Sequence, residues 1–438
     1  MPTLVLVLLV GSGGAPAAAA ATDSLTARQC VALSQRVAPE VRAAAEAARA
    51  AEYDARAARW NAAPQLRLHS GALYAPEGSY DPAITNLGAY DLKLVGTLPL
   101  LDGGGRRRER ERALTGAALA RTELALGERD VALQAAQLAL SLLQIAARAR
   151  RRDETVRWAS DVLRAVEAGA RAGVRSPSDV ARLRLDLHAI TTDLADLERQ
   201  RELQGHALGA LLFADSAVTS FTAVRDTTWS ERPPSPEDSV ALVARFEGSA
   251  EVARASAAVR LADLALADAR RRGALQLEAT ADAGLAGTDL TRTVPPELRA
   301  MHPNATLRDR LRRDLGASLA LDLTLPLIQR GNAATVAARA ADLRAALLRL
   351  EAARRSGRQA ALDLLARWRS GARLLASNRE AGTLAEAHVR RVHSLYLSGA
   401  ATLLELLDAR RVLEDALDRL EDARAELNLA LLETEIGR

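Results

Sequence analysis

The stretch "LPLLDGGGRRRERERA", residues 98–113, together with "LPLIQRGNAATVAARA", residues 325–340, indicates how this chain folds. Both stretches place Leu-Pro-Leu ahead of a glycine, Gly104 in the first and Gly331 in the second, and ahead of a helix-forming segment. The arginines of the first stretch become alanine, threonine and valine in the second, whereas a phosphate or nucleic-acid site would need its basic groups. The shared residues therefore predict an architectural feature, a strand that turns into a helix.

Proline and glycine are the residues expected to turn the strand into the helix. Pro99 and Pro326 lack the N–H that strand pairing needs, and Gly104 and Gly331 allow the backbone to change direction. Arginine and glutamate are then interleaved over residues 106–112, where pairs at i,i+3 and i,i+4 predict a solvated helix surface. This interpretation is favoured over a lipid-phosphate or ligand site.

The two stretches belong to a repeat that covers the chain. "GVRSPSDVARLRLDL", 173–187, aligns with "GAATLLELLDARRVL", 399–413, at an offset of 226. Each half reads helix, strand, loop, strand, very long helix, short break and helix. We expect the first repeat over 22–212, a linker over 213–240 and the second repeat over 241–438.

Four strands are expected, and their side chains alternate between apolar and polar. Their ranges are about 65–74, 89–98, 274–284 and 316–326. In the second strand, Leu92 and Leu94 face one side while Asp91 and Lys93 face the other. This alternation fits a membrane barrel with an apolar outer face, and it fits a soluble one-sided sheet equally well. Four strands are too few to enclose water, so a membrane barrel would need strands from several chains.

The helices are expected to be long, because no proline interrupts residues 100–176 or 327–438. We expect long helices that end near 172 and near 398, and final helices over 178–212 and 402–437. In the first long helix, heptad stripes that begin at Leu119 and Leu124 lie roughly 200° apart. A dimeric coiled coil needs one seam, so two opposed seams predict a neighbour on each side, as in the wall of a cylinder. A long soluble coiled-coil bundle is the alternative.

The composition excludes several classes of protein. The chain has 438 residues and a formal charge of only +4, which is too small for nucleic acid to be a leading partner. Cys30 is the only cysteine, so no intrachain disulfide is possible. No Gly-x-Ser-x-Gly, Walker or His-Glu-x-x-His motif occurs, and the six histidines are scattered. We expect no enzyme activity, no cofactor and no metal site.

The first residues of the sequence resemble an export signal. An apolar run over residues 4–10 precedes an alanine-rich segment with Ala-x-Ala cleavage options. We therefore expect a signal peptide over 1–21 and an exported protein.

In their order, spacing and duplication, these features resemble the TolC family of outer-membrane efflux proteins. The features are the export signal, the duplicated helix–hairpin–helix halves, "LPLLDGGG" closing a strand and Gly-x-x-Ser/Thr-x-x-Asp/Glu opening a helix. The resemblance implies a mainly α fold with a small β part. Long antiparallel coiled-coil hairpins would form a helical tunnel, and four strands would join a twelve-stranded outer-membrane barrel shared by three chains.

The resemblance also implies a function and partners. The homotrimer would be the exit duct of a tripartite efflux or type I secretion system, set in outer-membrane lipid and extending into the periplasm. Its partners would be a periplasmic adaptor (membrane fusion) protein and an inner-membrane pump of the resistance-nodulation-division or ABC type. The alternative is a periplasmic coiled-coil structural or adaptor protein without a pore of its own.

By the same resemblance, the helix breaks at Gly173-Val174 and Gly399-Ala400 are expected at the periplasmic tips, where the adaptor docks. An ordinary hairpin glycine is the alternative interpretation at both positions.

The resemblance further places five residues at the entrance gate: Glu405, Asp408, Asp179, Tyr396 and Ser178. The first two fall where acidic residues line the constriction, and the other three match positions that hold the gate shut by hydrogen bonds across helices. The family's arginine partner is missing, because this chain has Ala401 there. The helix dipole also favours acidic residues in a first turn, so that interpretation of Glu405 and Asp408 stays open.

Overall fold

The structure, a computed structural model, describes residues 24–61, 63–74, 88–213, 220–225, 231–288, 307–326 and 331–436. The expected signal peptide lies outside these residues.

The chain is mainly α-helical, as predicted. Its elements in chain order are β1 (Leu25–Thr26), α1 (Ala27–Val37), α2 (Pro39–Trp60), β2 (Gln65–Tyr74), β3 (Gly88–Leu101), α3 (Gly105–Arg171), α4 (Pro177–Leu212), β4 (Val224–Arg225), α5 (Pro236–Glu247), α6 (Ala250–Arg271), β5 (Gln276–Thr288), α7 (Leu307–Asp314), β6 (Leu315–Thr324), α8 (Asn332–Leu397) and α9 (Leu403–Ile436).

The four long strands form one antiparallel sheet in the order β2-β3-β5-β6. Leu94 lies opposite Leu68 on one side and Ala283 on the other, and Ala281 lies opposite Leu319. Because side chains alternate between the two faces of a sheet, this register collects most of the leucines and many of the alanines on one face. The leucines of this apolar face are Leu66, Leu68, Leu92, Leu94, Leu98, Leu277, Leu285, Leu315, Leu319, Leu321 and Leu323.

The strand bounds differ from the sequence prediction most at β5, which ends at Thr288 rather than near residue 284, and at β3 beside Pro99. β2 covers the predicted range, but β3 continues to Leu101, so the prediction that Pro99 ends strand pairing was wrong. The pairing with β5 shifts register between Pro99 and Leu101. A β-bulge accommodates a residue without an N–H, which lets the strand pass through the proline.

The chain divides into two compact units. The first comprises Met1–Ala45, Glu123–Ala250 and Arg354–Arg438, and the second comprises Glu46–Thr122 and Glu251–Ala353. The second unit contains the four-stranded sheet. The first contains the largest apolar core, in which Ala132, Ala135, Ala136 and Ala139 of α3 are fully buried. Their i, i+3, i+4, i+7 spacing lines one face of the helix, and alanine allows neighbouring helices to approach closely.

Among the described helices, α3 contains an 18-residue window apolar enough to cross a membrane by length and composition, and 44% of that window is buried. The alanine-rich face of the core accounts for this apolar character.

Two features were not predicted. The linker over 213–240 contains β4, which pairs in parallel with β1 through Leu25 and Val224, and it contains the start of α5 at Pro236. The short helix α7 lies directly before β6.

Candidate functional site

The predicted tip residues lie in two helix–helix turns that share one geometry. Gly173, between α3 and α4, has a φ of 76°, and Gly399, between α8 and α9, has a φ of 77°. Val174 and Ala400 each donate their N–H to the carbonyl five residues earlier, at 2.9 and 2.8 Å. This is a left-handed helix ending that favours glycine. The backbone conformation alone therefore explains both glycines.

The helix after each turn begins with a cap and an acidic residue. At α9, the N–H and the hydroxyl of Thr402 donate to Oε2 of Glu405 at 2.7 and 3.0 Å, and the N–H of Glu405 donates to Thr402 Oγ1 at 3.2 Å. This capping box lowers the pKa of Glu405, chiefly through the backbone hydrogen bond from Thr402. At α4, the N–H of Ser178 donates to the Ser176 hydroxyl at 3.2 Å, and Asp179 lies in the first turn.

Glu405 and Asp408 lie on the exposed face of α9, while Leu406 and Ala409 are buried. The two carboxylates differ in their local bonding. One oxygen of Glu405 caps its own helix by accepting both hydrogen bonds from Thr402. Asp408 has no hydrogen-bond or ion-pair partner among the described residues. Of the two carboxylates, that of Asp408 is therefore the one without a local hydrogen bond in the described part of the chain.

Tyr396 belongs to a small apolar core beside the two turns, which also contains Val166 and Leu183. Only 7% of Tyr396 is exposed. The guanidinium carbon of Arg175 lies 4.5 Å from the centroid of its ring, a cation–π contact. A Cβ on Gly169 would come within 2.8 Å of Arg175 Cγ, so the glycine leaves room for Arg175 to reach back across α3.

The sequence prediction missed Arg175. Within the described residues of one chain, no hydrogen bond joins Tyr396 to Asp179 or Ser178, and the contact of Tyr396 is with Arg175. The repeat did carry a signal, because Arg175 occupies the position that Ala401 occupies 226 residues later. The first half thus has an arginine where the second half has Ala401.

Ion pairs join α3 to α9 next to this core. Arg151 and Arg152 lie 2.7 and 3.2 Å from the carboxylate of Asp418, and Arg152 also pairs with Glu414. These side chains are largely buried. A shift of α3 along α9 would separate these partners and leave buried charges unpaired, which is costly. The ion pairs therefore hold the two helices in one register relative to each other.

The strand-to-helix turn is held by Asp102, which the sequence prediction did not single out. Its Oδ2 accepts the N–H of Arg106 at 2.7 Å and its Oδ1 accepts that of Gly104 at 2.9 Å. These hydrogen bonds, that of Arg106 foremost, lower the pKa of Asp102. Gly104 has a φ of 82°, as a change of direction there requires. In the second half, Pro326 follows β6 and Gly331 precedes α8.

The arginines at the start of α3 are not all on a solvated face. Arg107 pairs with Glu111 at 3.3 Å on the surface, as predicted. Arg108 instead pairs with Asp268 of α6, and only 14% of its side chain is exposed. Burial would raise the pKa of Asp268, but the hydrogen bonds and charges of Arg108 and Arg112 outweigh it and lower that pKa. The first turns of α3 are therefore fixed to a neighbouring helix.

The two faces of the sheet differ in chemistry. On the apolar face, the edge strand β6 is exposed along its whole length, and Leu319 is 75% exposed. On the other face, Lys93 lies 3.7 Å from Asp282, and Nδ1 of His69 lies 2.6 Å from Asp91 Oδ2. A contiguous apolar surface of this kind marks a contact with lipid or with another protein.

No protein-family model matches the chain, and no curated protein matches it. Several solved structures match it. The chain is similar to the outer membrane protein VceC from Vibrio cholerae, with a TM-score of 0.77 and 16% identity over 94% of this chain and 96% of that one. It is similar to the CmeC outer membrane channel of Campylobacter jejuni, with a TM-score of 0.72 and 12% identity over 100% and 93%. For the open state of the MtrE outer membrane channel of Neisseria gonorrhoeae, the TM-score is 0.70 and the identity 18% over 94% and 88%. The chain therefore has the fold of these outer membrane channels.

Proposed function

We propose that this protein is a TolC-family channel of the outer membrane, in which three chains share one barrel and a helical duct extends into the periplasm. The observation that carries the proposal is the four-stranded sheet with one apolar face and one polar face. The fold shared with outer membrane channels supports it.

Lipid is the environment that suits the apolar face. β2 and β6 are each 10 residues long, and a tilted transmembrane strand needs about 9–11 residues. In water, an exposed leucine face of this size would drive aggregation. In a bilayer, the same face would be solvated by acyl chains, and the opposite face with Lys93 and Asp282 would line a wet interior.

The open edges of the sheet support sharing between chains. β2 and β6 are the two edges, and their backbone N–H and C=O groups have no strand partner on the outer side within the described sheet. Unpaired edges cannot be tolerated in hydrocarbon. Because all neighbours in the sheet are antiparallel, β2 and β6 run in opposite directions. The β6 edge of one chain can therefore pair antiparallel with the β2 edge of the next, and three chains would close twelve strands.

We propose that the tip formed by the α3–α4 and α8–α9 turns is the gate. Three copies of Asp408, with Glu405 one turn away, would form rings of carboxylates at the narrowest point. Like charges held this close favour a bound cation and make the pore cation-selective. Arg175, stacked on Tyr396, would help to hold the tip closed. Asp179 and Ser178 would join neighbouring helices in the assembled gate.

The same turns are the proposed docking site of a periplasmic adaptor, which would connect the duct to an inner-membrane pump. Gly173, Val174, Gly399 and Ala400 are all exposed in the chain. Small residues on an exposed turn allow a partner helix to approach closely. Cysteines introduced at positions 174 and 400 should then crosslink to the adaptor.

Planar-bilayer recording with the purified full chain tests the proposal. A cation-selective conductance with discrete openings, from a protein that migrates as a trimer, is the expected result. A periplasmic coiled-coil or adaptor protein without a pore would stay in solution without detergent and would give no conductance. That result would refute the proposal.

A further inference from the structure

The short helix α7 lies at the end of the sheet opposite the long helices. β5 runs from α6 towards the loop that precedes α7, and β6 runs from α7 back to α8. α7 contacts both β5 and β6. Its place in the chain therefore puts it at the loop end of the sheet, opposite the end where β3 leads into α3 and β6 leads into α8.

α7 is anchored on the apolar face of the sheet. Tyr90, on that face of β3, donates a hydrogen bond to Oδ2 of Asp314, the last residue of α7. Asp314 is buried, and Arg313 lies 3.1 Å from its other oxygen. A Cβ on Gly287 would come within 2.6 Å of both Asp314 Oδ2 and Tyr90 Oη, so the glycine leaves space for this contact. The end of α7 is thus fixed beside the surface proposed to meet lipid.

The exposed side of α7 is basic and partly apolar. Arg308 and Arg312 are four residues apart and lie on one side of the helix, and both are exposed. Neither has an ion-pair partner within the described part of the chain, whereas Arg107 and Arg108 of α3 are paired. Leu311, between them, is 40% exposed.

We infer that α7 rests on the membrane surface at the loop end of the barrel and binds the phosphate groups of lipid headgroups through Arg308 and Arg312. Guanidinium groups form charge-assisted hydrogen bonds with phosphate oxygens. A short helix with basic residues beside an exposed leucine suits the boundary between headgroups and acyl chains. A tyrosine at the rim of the apolar face belongs at the same depth.

A soluble acidic protein is the other partner that Arg308 and Arg312 would attract. Two observations favour lipid. Tyr90 ties α7 to the apolar face of the sheet, and Leu311 would be left in water by a purely electrostatic partner. The inference rests on the proposed function, because it requires the sheet to lie in a membrane.

The test uses the full-length protein in phosphatidylcholine nanodiscs with a titrated fraction of diphosphoryl lipid A as the phosphate-bearing probe. The association constant is measured by mass spectrometry of the lipid that stays with the protein. The variant is Arg308→Gln with Arg312→Gln. The matched control is Arg344→Gln with Arg349→Gln, which makes the same charge change on exposed positions of α8. All three proteins are also recorded in planar bilayers.

The α7 variant should bind the probe roughly 30-fold more weakly than the wild type, the factor expected from two arginines at a membrane surface. The control should bind it as the wild type does, and all three proteins should conduct. If lipid A binding is weakened equally in both variants, or in neither, the inference is overturned. The proposed function still stands in that case, provided that the proteins conduct. The same holds if lipid A without its phosphates binds equally well. A wild-type protein that neither inserts nor conducts would overturn both.

Discussion

Leu319 of β6 is the position where an arginine should reveal the environment of the sheet. It is the fifth of 10 residues in the strand, and it is 75% exposed in the single chain. Replacing it removes little packing within the chain, so any large effect must come from what covers the strand in the assembled protein. Ala320, the next residue, is also exposed but lies on the polar face opposite Thr280. It provides a matched site for the same new side chain.

The expected cost of Leu319→Arg follows from the bilayer. An arginine on the lipid face near the midplane costs about 2–4 kcal/mol, and three chains in one barrel would raise this to roughly 6–12 kcal/mol for each assembly. A typical folded protein has only about 5–15 kcal/mol of stability in total. The variant trimer should therefore fail to assemble or should dissociate on mild heating. Ala320→Arg should cost far less, because its side chain would point into water.

The assay is the fraction of protein that migrates as a heat-resistant trimer after refolding into liposomes, measured across a temperature series. Leu319→Arg should shift the dissociation temperature steeply downward, and Ala320→Arg should leave it near that of the wild type. If the two arginines have equal effects, the apolar face does not contact lipid and the account of the sheet fails.

Four further predictions concern the tip. Arg175→Gln should remove a contact worth about 1 kcal/mol in each chain and raise the open probability in planar bilayers; an unchanged open probability would exclude Arg175 from the gate. Asp408→Asn should reduce cation selectivity more than Glu405→Gln, because Glu405 caps its own helix; a larger effect at Glu405 would reverse that assignment. The pKa of the Glu405 carboxylate is lowered, so its helix cap should persist below the ordinary pKa of glutamate and be lost only as the pH falls through the lowered value. A comparison of acid unfolding between the wild type and Glu405→Gln would detect this loss. Gly399→Ala should destabilise the chain by about 1–2 kcal/mol because Gly399 has a positive φ. Gly116→Ala, which places its new methyl group in open space on α3, should instead stabilise the chain by about 0.5–1 kcal/mol. If urea unfolding shows that both substitutions change the free energy of unfolding in the same direction, the turn geometry is contradicted.

Local sequence patterns predicted a helix or strand well where a single pattern determines that structure. The period-two alternation identified β2 at its observed bounds and separated the two faces of the sheet. The long proline-free segments predicted where α3 and α8 end to within one residue. The pairing of β3 with β5 was beyond such reasoning, because a strand pattern carries no information about which distant strand becomes its partner. The β-bulge at Pro99 belongs to the same class, since it depends on the strand that lies opposite.

The candidate site was predicted less completely, and the reasons are geometric. Asp268 is distant in sequence from Arg108, so an arginine that is buried against it looked like part of a solvated face. Arg175 reaches Tyr396 only because the turn at Gly173 reverses the chain. The one sequence signal for Arg175 was its alignment with Ala401 in the repeat. The helix α7 has few apolar residues, and its position depends on the contact between Asp314 and the sheet.

The central claim is that β2 of one chain pairs with β6 of the next to close a barrel of three chains, and disulfide crosslinking tests it most directly. Cysteine at Leu68 in β2 is combined in turn with cysteine at Leu319, Leu321 or Leu323 in β6. The native Cys30 is fully buried, and burial raises the pKa of its thiol to about 12, so it should not react.

A control pair, Leu94→Cys with Ala283→Cys, lies directly opposite within one chain and should give only an intrachain link. After mild oxidation in the membrane, at least one of the β2–β6 pairs should give covalent dimers and trimers, with no larger species. Links that stay within one chain for every β2–β6 pair, or a ladder that continues beyond three chains, would contradict the account.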